Sequence, residues 1–144
     1  MKKIFILGFL IRSSQALFAQ KMTSNKKAII ASVEKHEQAL IAISDSIWAL
    51  AETAFQEDQS AEILASYAEK NGFKVTRGVA GIPTAFTATY GSGSPVISVL
   101  GEFDALPGIS QKAQPEKEAL NQGAAGHGCG HNLFGAGSLG AAIA

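Results

Sequence analysis

The chain has 144 residues, 47% hydrophobic and 17% charged, the composition of a globular domain with a real core rather than a disordered segment. Twelve basic and twelve acidic residues give a formal net charge of zero, which leaves no electrostatic footprint for nucleic acid. A single cysteine excludes an internal disulfide framework and a cysteine-rich structural zinc site, but not a metal held by mixed ligands.

In chain order, residues 1–19 read as a signal peptide. Lys2 and Lys3 form a positive start, Ile4 to Ile11 a short apolar run broken after it by Arg12, and Ala16-Leu17-Phe18-Ala19 a small-residue cleavage site before Gln20. The run is too short for a permanent bilayer span. The expected address of the mature chain is periplasmic or secreted, and cytoplasmic if the segment is not a signal.

From Ser24 to about Thr53, Ile29, Val33, His36, Leu40, Ile43, Ile47, Leu50 and Ala54 recur at spacings of three and four, an amphipathic helix. His36 lies on the stripe and reads as a packed, hydrogen-bonded residue, and Trp48 as packed against the sheet. A turn at Phe55–Asp58 leads to a second helix, capped by Asp58 or Ser60 and stopped by Asn71-Gly72. Phe73–Arg77 reads as a strand, Gly78–Gly81 as a loop, and Pro83–Tyr90 as an alternating strand. Gly91–Pro95 is a turn, and Val96-Ile97-Ser98-Val99-Leu100 a β-branched run expected as a central strand buried on both faces. Ile109–Ala125 is a long polar connection with a helical turn expected at Pro115–Leu120. A last helix starts near Asn132 and is still apolar at Ala144, with Leu139 and Ile143 expected to be incompletely covered. The order predicts an α/β domain with a mixed sheet flanked by helices, and residues 20–144 read as the N-terminal part of a longer protein.

Two stretches carry chemistry. Gly126-His127-Gly128-Cys129-Gly130-His131-Asn132 holds the one cysteine and two of the three histidines. A thiolate and an imidazole two residues apart, between glycines, suit a borderline-soft divalent metal; a glycine-rich turn with a structural cysteine fits those residues equally well. Gly101-Glu102-Phe103-Asp104-Ala105-Leu106-Pro107 tips the balance to metal. Glu102 and Asp104 follow the Val96–Leu100 run, and sites in open α/β sheets lie beyond the carboxyl ends of strands. A cysteine hydrolase using Cys129 lacks an evident orienting group. A phosphate-binding glycine loop lacks the Lys-Ser/Thr of that motif.

Together these stretches, with Ala51-Glu52-Thr53-Ala54-Phe55 and Ile82-Pro83-Thr84-Ala85-Phe86, resemble the amidohydrolase branch of the co-catalytic metallopeptidases, which includes aminoacylases and folate-cleaving carboxypeptidases. The resemblance implies a zinc-exopeptidase-like catalytic domain, incomplete at its C-terminus and without its lid or dimerisation domain. It implies metal-dependent hydrolysis of an amide bond in an N-acyl amino acid or p-aminobenzoyl-glutamate-like small molecule. Two divalent ions, zinc or manganese, are implied per complete site. By the same resemblance Cys129 and His131 are metal ligands and Asp104 orients a ligand. Glu102 lies where some relatives place a histidine ligand, Asn132 where many carry aspartate, and His127 has a structural supporting role. The general base, a glutamate of a Glu-Glu pair, and the remaining ligands are expected further along, so the 144 residues alone are expected to be inactive. A homodimer or hetero-oligomer is implied for the full-length protein. The competing expectation is a truncated, non-catalytic fragment or subunit.

Overall fold

A computed structural model describes residues 22–144; the signal-peptide reading at residues 1–19 lies outside the described residues. Helix α1 spans Ser24–Leu50, with the Thr23 side chain accepting a hydrogen bond from the Lys26 N–H. It ends where Ala51 takes a left-handed φ of 45°, three residues before the expected end at Thr53. Only the second half of its apolar stripe is covered. Ile47 is fully buried and Ile43 nearly so, whereas Ile29 and Val33 are exposed. His36 Nδ1 meets the Tyr67 hydroxyl at 2.7 Å, the packed and hydrogen-bonded role its place on the stripe suggests.

Helix α2, Asp58–Lys70, buries Leu64, Ala65 and Ala68. The structure corrects its expected cap. Neither Asp58 nor Ser60 caps it, and Glu57 before it makes no side-chain capping bond. The free N–H groups of its first turn go instead to Glu52, which reaches over from the turn after α1. Its carboxylate accepts from the Gln59 N–H at 3.1 Å, the Ser60 N–H at 2.8 Å and the Ser60 hydroxyl at 2.6 Å. A cap from another element satisfies the same orphan donors as a local one. The helix stops as its sequence demands: Gly72 takes φ 87°, and the Phe73 N–H returns to the Ala68 carbonyl at 3.1 Å.

Strands β1, Lys74–Arg77, and β2, Phe86–Thr89, pair antiparallel with Lys74 opposite Thr89 and Arg77 opposite Phe86. They are joined through a 3-10 turn at Val79–Gly81. The pair lies on α2, to which Arg77 is bound by Glu62 at 2.9 Å and Glu69 at 2.7 Å. The combination of helices and sheet is as expected, but the sheet is not mixed: among the described residues it has these two strands alone. Val96–Leu100 is not a buried central strand. It joins no ladder, and its apolar side chains are exposed, Val96 by 81% and Ile97 by 85%. β-branched residues favour extended backbone, but burial on both faces needs neighbouring strands, and none lies beside this run among the described residues. The run leans on the last helix, where the Ser138 hydroxyl donates to the Leu100 carbonyl at 2.6 Å.

The connection from Leu106 to Gly126 is a loop closed by backbone bonds. Leu106 and Gly126 exchange both bonds at 3.0 Å, the Ser110 N–H donates to the Ala124 carbonyl, and the Lys112 N–H to the Glu118 carbonyl. The helical turn expected at Pro115–Leu120 does not form. Trp48 faces this loop rather than packing on the sheet as expected; it lines a cavity of about 290 Å³ with Ser110, Gln111, Leu120 and His127.

Helix α3, His131–Ile143, packs chiefly on α1. Its small residues allow close approach: a Cβ on Gly140 would lie 2.7 Å from Leu40 Cδ1. Leu139 is buried, better covered than expected, whereas Ile143 is only partly buried against the same core, as expected. The core is Ile43 and Ile47 of α1, Leu64 and Ala68 of α2, and Ala136 and Leu139 of α3. Among the described residues, no helix is long and apolar enough to cross a membrane.

Candidate functional site

The glycine-rich stretch forms the loop that enters α3, and two of its glycines have a clear steric reason. Gly126 is buried against the backbone of Ile109, where a Cβ would lie 2.6 Å from the carbonyl oxygen. Gly130 takes φ 78° immediately before the helix, a left-handed position that favours glycine, and its carbonyl accepts the first bonds of α3, from Leu133 and Phe134.

Two side chains fix this loop to α1. His127 Nε2 lies 3.0 Å from the Ile47 carbonyl. The carbonyl can only accept, so Nε2 carries the proton and Nδ1 is the unprotonated nitrogen. Among the described residues, Nδ1 is buried without a hydrogen-bond partner. Burial holds the His127 pKa below the usual imidazole value and the adjacent His131 adds to this, while the Ile47 bond and Asp104 oppose it. Asn132, also buried, donates from Nδ2 to the Ser44 hydroxyl at 3.0 Å. His127 and Asn132 thus grip α1 at Ile47 and Ser44, three positions apart and so on one face of the helix. Asn132 is turned onto α1, not toward the thiol.

Cys129, between these anchors, is a free and exposed thiol. His131 opens α3 and turns its ring toward the 102–104 segment. Its Nδ1 lies 2.8 Å from Asp104 Oδ1 and its Nε2 3.1 Å from Glu102 Oε2. The segment is placed by close backbone packing. The Ala105 N–H donates to the Glu52 carbonyl at 2.7 Å, and a Cβ on Gly135 of α3 would lie 3.0 Å from the Glu102 carbonyl. Of the six residues singled out in the sequence, Glu102, Asp104 and His131 therefore meet. Cys129 stands two positions away with an exposed thiol, and His127 and Asn132 serve as anchors. Among the described residues, no three His, Cys, Asp or Glu side chains are already arranged to hold a metal ion. The donor chemistry still fits one: a ligating imidazole characteristically gives its other N–H to a carboxylate, as Nδ1 does to Asp104. Glu52 was not singled out for this region. It organises both α2 and the 102–105 segment, and the one sequence signal for it was the Ala51–Phe55 stretch.

Comparison with known proteins is consistent with the sequence resemblance. The chain is 50% identical over 113 residues to one of the subunits of p-aminobenzoyl-glutamate hydrolase from Escherichia coli (strain K12). The matched part is 78% of this chain and 24% of that protein, so the chain spans about a quarter of the relative's length. No protein-family model matches the chain.

Proposed function

We propose that these residues are the metal-binding entrance of a hydrolase that cleaves an amide bond in an N-acyl amino acid or a p-aminobenzoyl-glutamate-like molecule. The observation that carries the reading is the 2.8 Å contact between Asp104 Oδ1 and His131 Nδ1. With Nδ1 engaged by Asp104, Nε2, which faces the half-exposed Glu102 carboxylate, is the nitrogen that a metal would take. Cys129 and His131 are the residues that would hold the ion, from a loop fixed to α1 by His127 and Asn132. A bound zinc or manganese ion supplies Lewis acidity for the scissile carbonyl and an acidified water. A complete site takes two such ions, with its proton-transferring glutamate and remaining ligands in the rest of a protein of the relative's length. By analogy with the relative, which is one subunit of its enzyme, the working form is an oligomer, hetero-oligomeric in the first instance. Residues 1–19 direct export to the periplasm or beyond.

The cysteine-hydrolase alternative finds no support in the geometry. Both ring nitrogens of His131 face carboxylates, so the ring is not placed to take a proton from Cys129. The test is a chimera in which this chain replaces the matching segment of the E. coli relative. It should hydrolyse p-aminobenzoyl-glutamate or an N-acyl amino acid, and Cys129→Ala should remove metal and turnover together. Full metal occupancy with lost turnover in that variant would refute the ligand assignment.

A further inference from the structure

We propose that the cavity beside Trp48 is a binding site for a small, uncharged aromatic amine, and that it seats the aryl end of a p-aminobenzoyl-glutamate-like substrate. The second part rests on the amide-hydrolase reading above; the binding itself does not need it. The cavity, about 290 Å³, lies between the end of α1 and the loop from Leu106 to Gly126. Its walls are fixed. Leu106 and Gly126 exchange backbone bonds, the Ser110 hydroxyl accepts from the Asn121 N–H at 3.1 Å, and the Gln111 amide donates to the Glu116 carbonyl at 2.8 Å.

Size, shape and charge select the occupant. A cavity of about 150 Å³ already accepts benzene, so this one has room for a ring with substituents. Trp48, half-buried, offers a flat indole against which an aromatic ring stacks, and Leu50 and Leu120 add apolar surface. Among the described residues no carboxylate lines the cavity, and its one lysine, Lys112, is held by Glu118. A charged amino-acid half finds no free counter-ion here, and an uncharged ring needs none. What the cavity does offer is acceptors. The carbonyls of Trp48, Ala49 and Leu50 accept no hydrogen bond among the described residues, and all three residues line the cavity. They are the last carbonyls of a helix and carry partial negative charge, and α1 has no basic side chain in its last turn to offset it. An amino group on the ring supplies the missing N–H donors. The lining also includes His127 and Gly128, so the cavity reaches the residue before Cys129. An aryl group held here keeps its acyl carbon beside the loop that carries Cys129 and His131.

Titrating p-aminobenzamide into the whole chain, without added metal, tests this, with binding read by the indole N–H resonance of Trp48 and by calorimetry. The compound should bind saturably and shift that resonance. Benzamide, which lacks the amine, should bind about 3–10-fold more weakly, and cyclohexanecarboxamide, which lacks the aromatic face, should lose a similar factor. Trp48→Leu should cost about 3–10-fold by calorimetry. Ala124→Phe fills the cavity from the loop and Ala49→Phe fills it from α1, and each should abolish binding, whereas Cys129→Ala should leave it unchanged. Either control compound matching p-aminobenzamide, or full binding in both filled variants, overturns the proposal. In the chimera with the E. coli relative, Ala124→Phe should raise KM for p-aminobenzoyl-glutamate more than for an N-acetyl amino acid. Equal effects on the two overturn the link to substrate. A chimera that cleaves neither, while the chain still holds p-aminobenzamide as described, overturns the hydrolase reading and leaves the arylamine site standing.

Discussion

Removing the Glu52 carboxylate should unseat the start of α2, while the Glu52 main-chain carbonyl that holds Ala105 stays in place. In Glu52→Ala the Ser60 hydroxyl, on a fully buried residue, loses its 2.6 Å acceptor, and two first-turn N–H groups lose theirs. A buried donor left without a partner costs about 1–3 kcal/mol. Loss of a helix cap costs about 0.5–2 kcal/mol. The two overlap, because Ser60 contributes to both, so we expect a loss of about 2–3 kcal/mol. Against a typical total of about 5–15 kcal/mol this is a large fraction. Urea unfolding followed by the fluorescence of Trp48, the one tryptophan, measures it. The pH dependence adds an independent check. Burial pushes the Glu52 carboxyl up, but the bonds from Ser60 and Gln59 outweigh it and the net shift is downward. A carboxyl depressed in the folded state stabilises above its unfolded value and loses that contribution as pH falls through the folded one. The gap between wild type and Glu52→Gln should therefore be full above about pH 4.5 and shrink below it. A Glu52→Ala chain within about 0.5 kcal/mol of wild type, the range of an ordinary surface substitution, or a gap that widens in acid, would refute the reasoning.

Gly126→Ala drives a Cβ into the Ile109 backbone and should cost about 1–3 kcal/mol, with a matching loss of metal affinity, read by denaturation and cobalt titration. Asn132→Ala leaves the buried Ser44 hydroxyl without the amide and should cost about 1–3 kcal/mol, whereas Asn132→Leu combined with Ser44→Ala should recover most of it in a double-mutant cycle. Asp104→Ala should weaken metal binding by about 10–100-fold without removing the cobalt–thiolate band. N-terminal sequencing of exported protein should begin near Gln20; an intact Met1 chain in the cytoplasm would refute the signal reading.

What could be read in the sequence was what is encoded locally. The periodicity of α1, the Asn71-Gly72 stop and the two short strands follow from side chains within a turn or two of each other. The Val96–Leu100 run misled because composition reports a preference for extended backbone and says nothing of a neighbour to pair with. The cap of α2 was misassigned for a related reason: Asp58 and Ser60 have suitable side chains, but the acceptor came from Glu52 across a turn. At the site, Cys129 and His131 declared their chemistry by residue type. The Asp104–His131 contact spans 27 positions, and the grips of His127 and Asn132 on α1 span 80 and 88, so no local pattern carries them. The resemblance supplied a role for Asp104; it left Glu102 and Asn132 unassigned, and the fold turns one toward His131 and the other toward Ser44.

The exposed Val96–Leu100 run also bears on how copies of this chain meet. Five uncharged residues in the open, three of them the β-branched Val96, Ile97 and Val99, are a template for strand-on-strand growth. Pro95 blocks one end, having no N–H to give a ladder. At the other end Glu102 and Asp104 act as gatekeepers, since stacking copies in register would bring like charges together. The carboxylates that face His131 would then also keep the chain dispersed, and an ion that neutralises them would weaken that protection. Light scattering at fixed protein concentration should accordingly rise with added divalent metal in the wild-type chain, and far less in a chain carrying Val96→Lys and Val99→Lys.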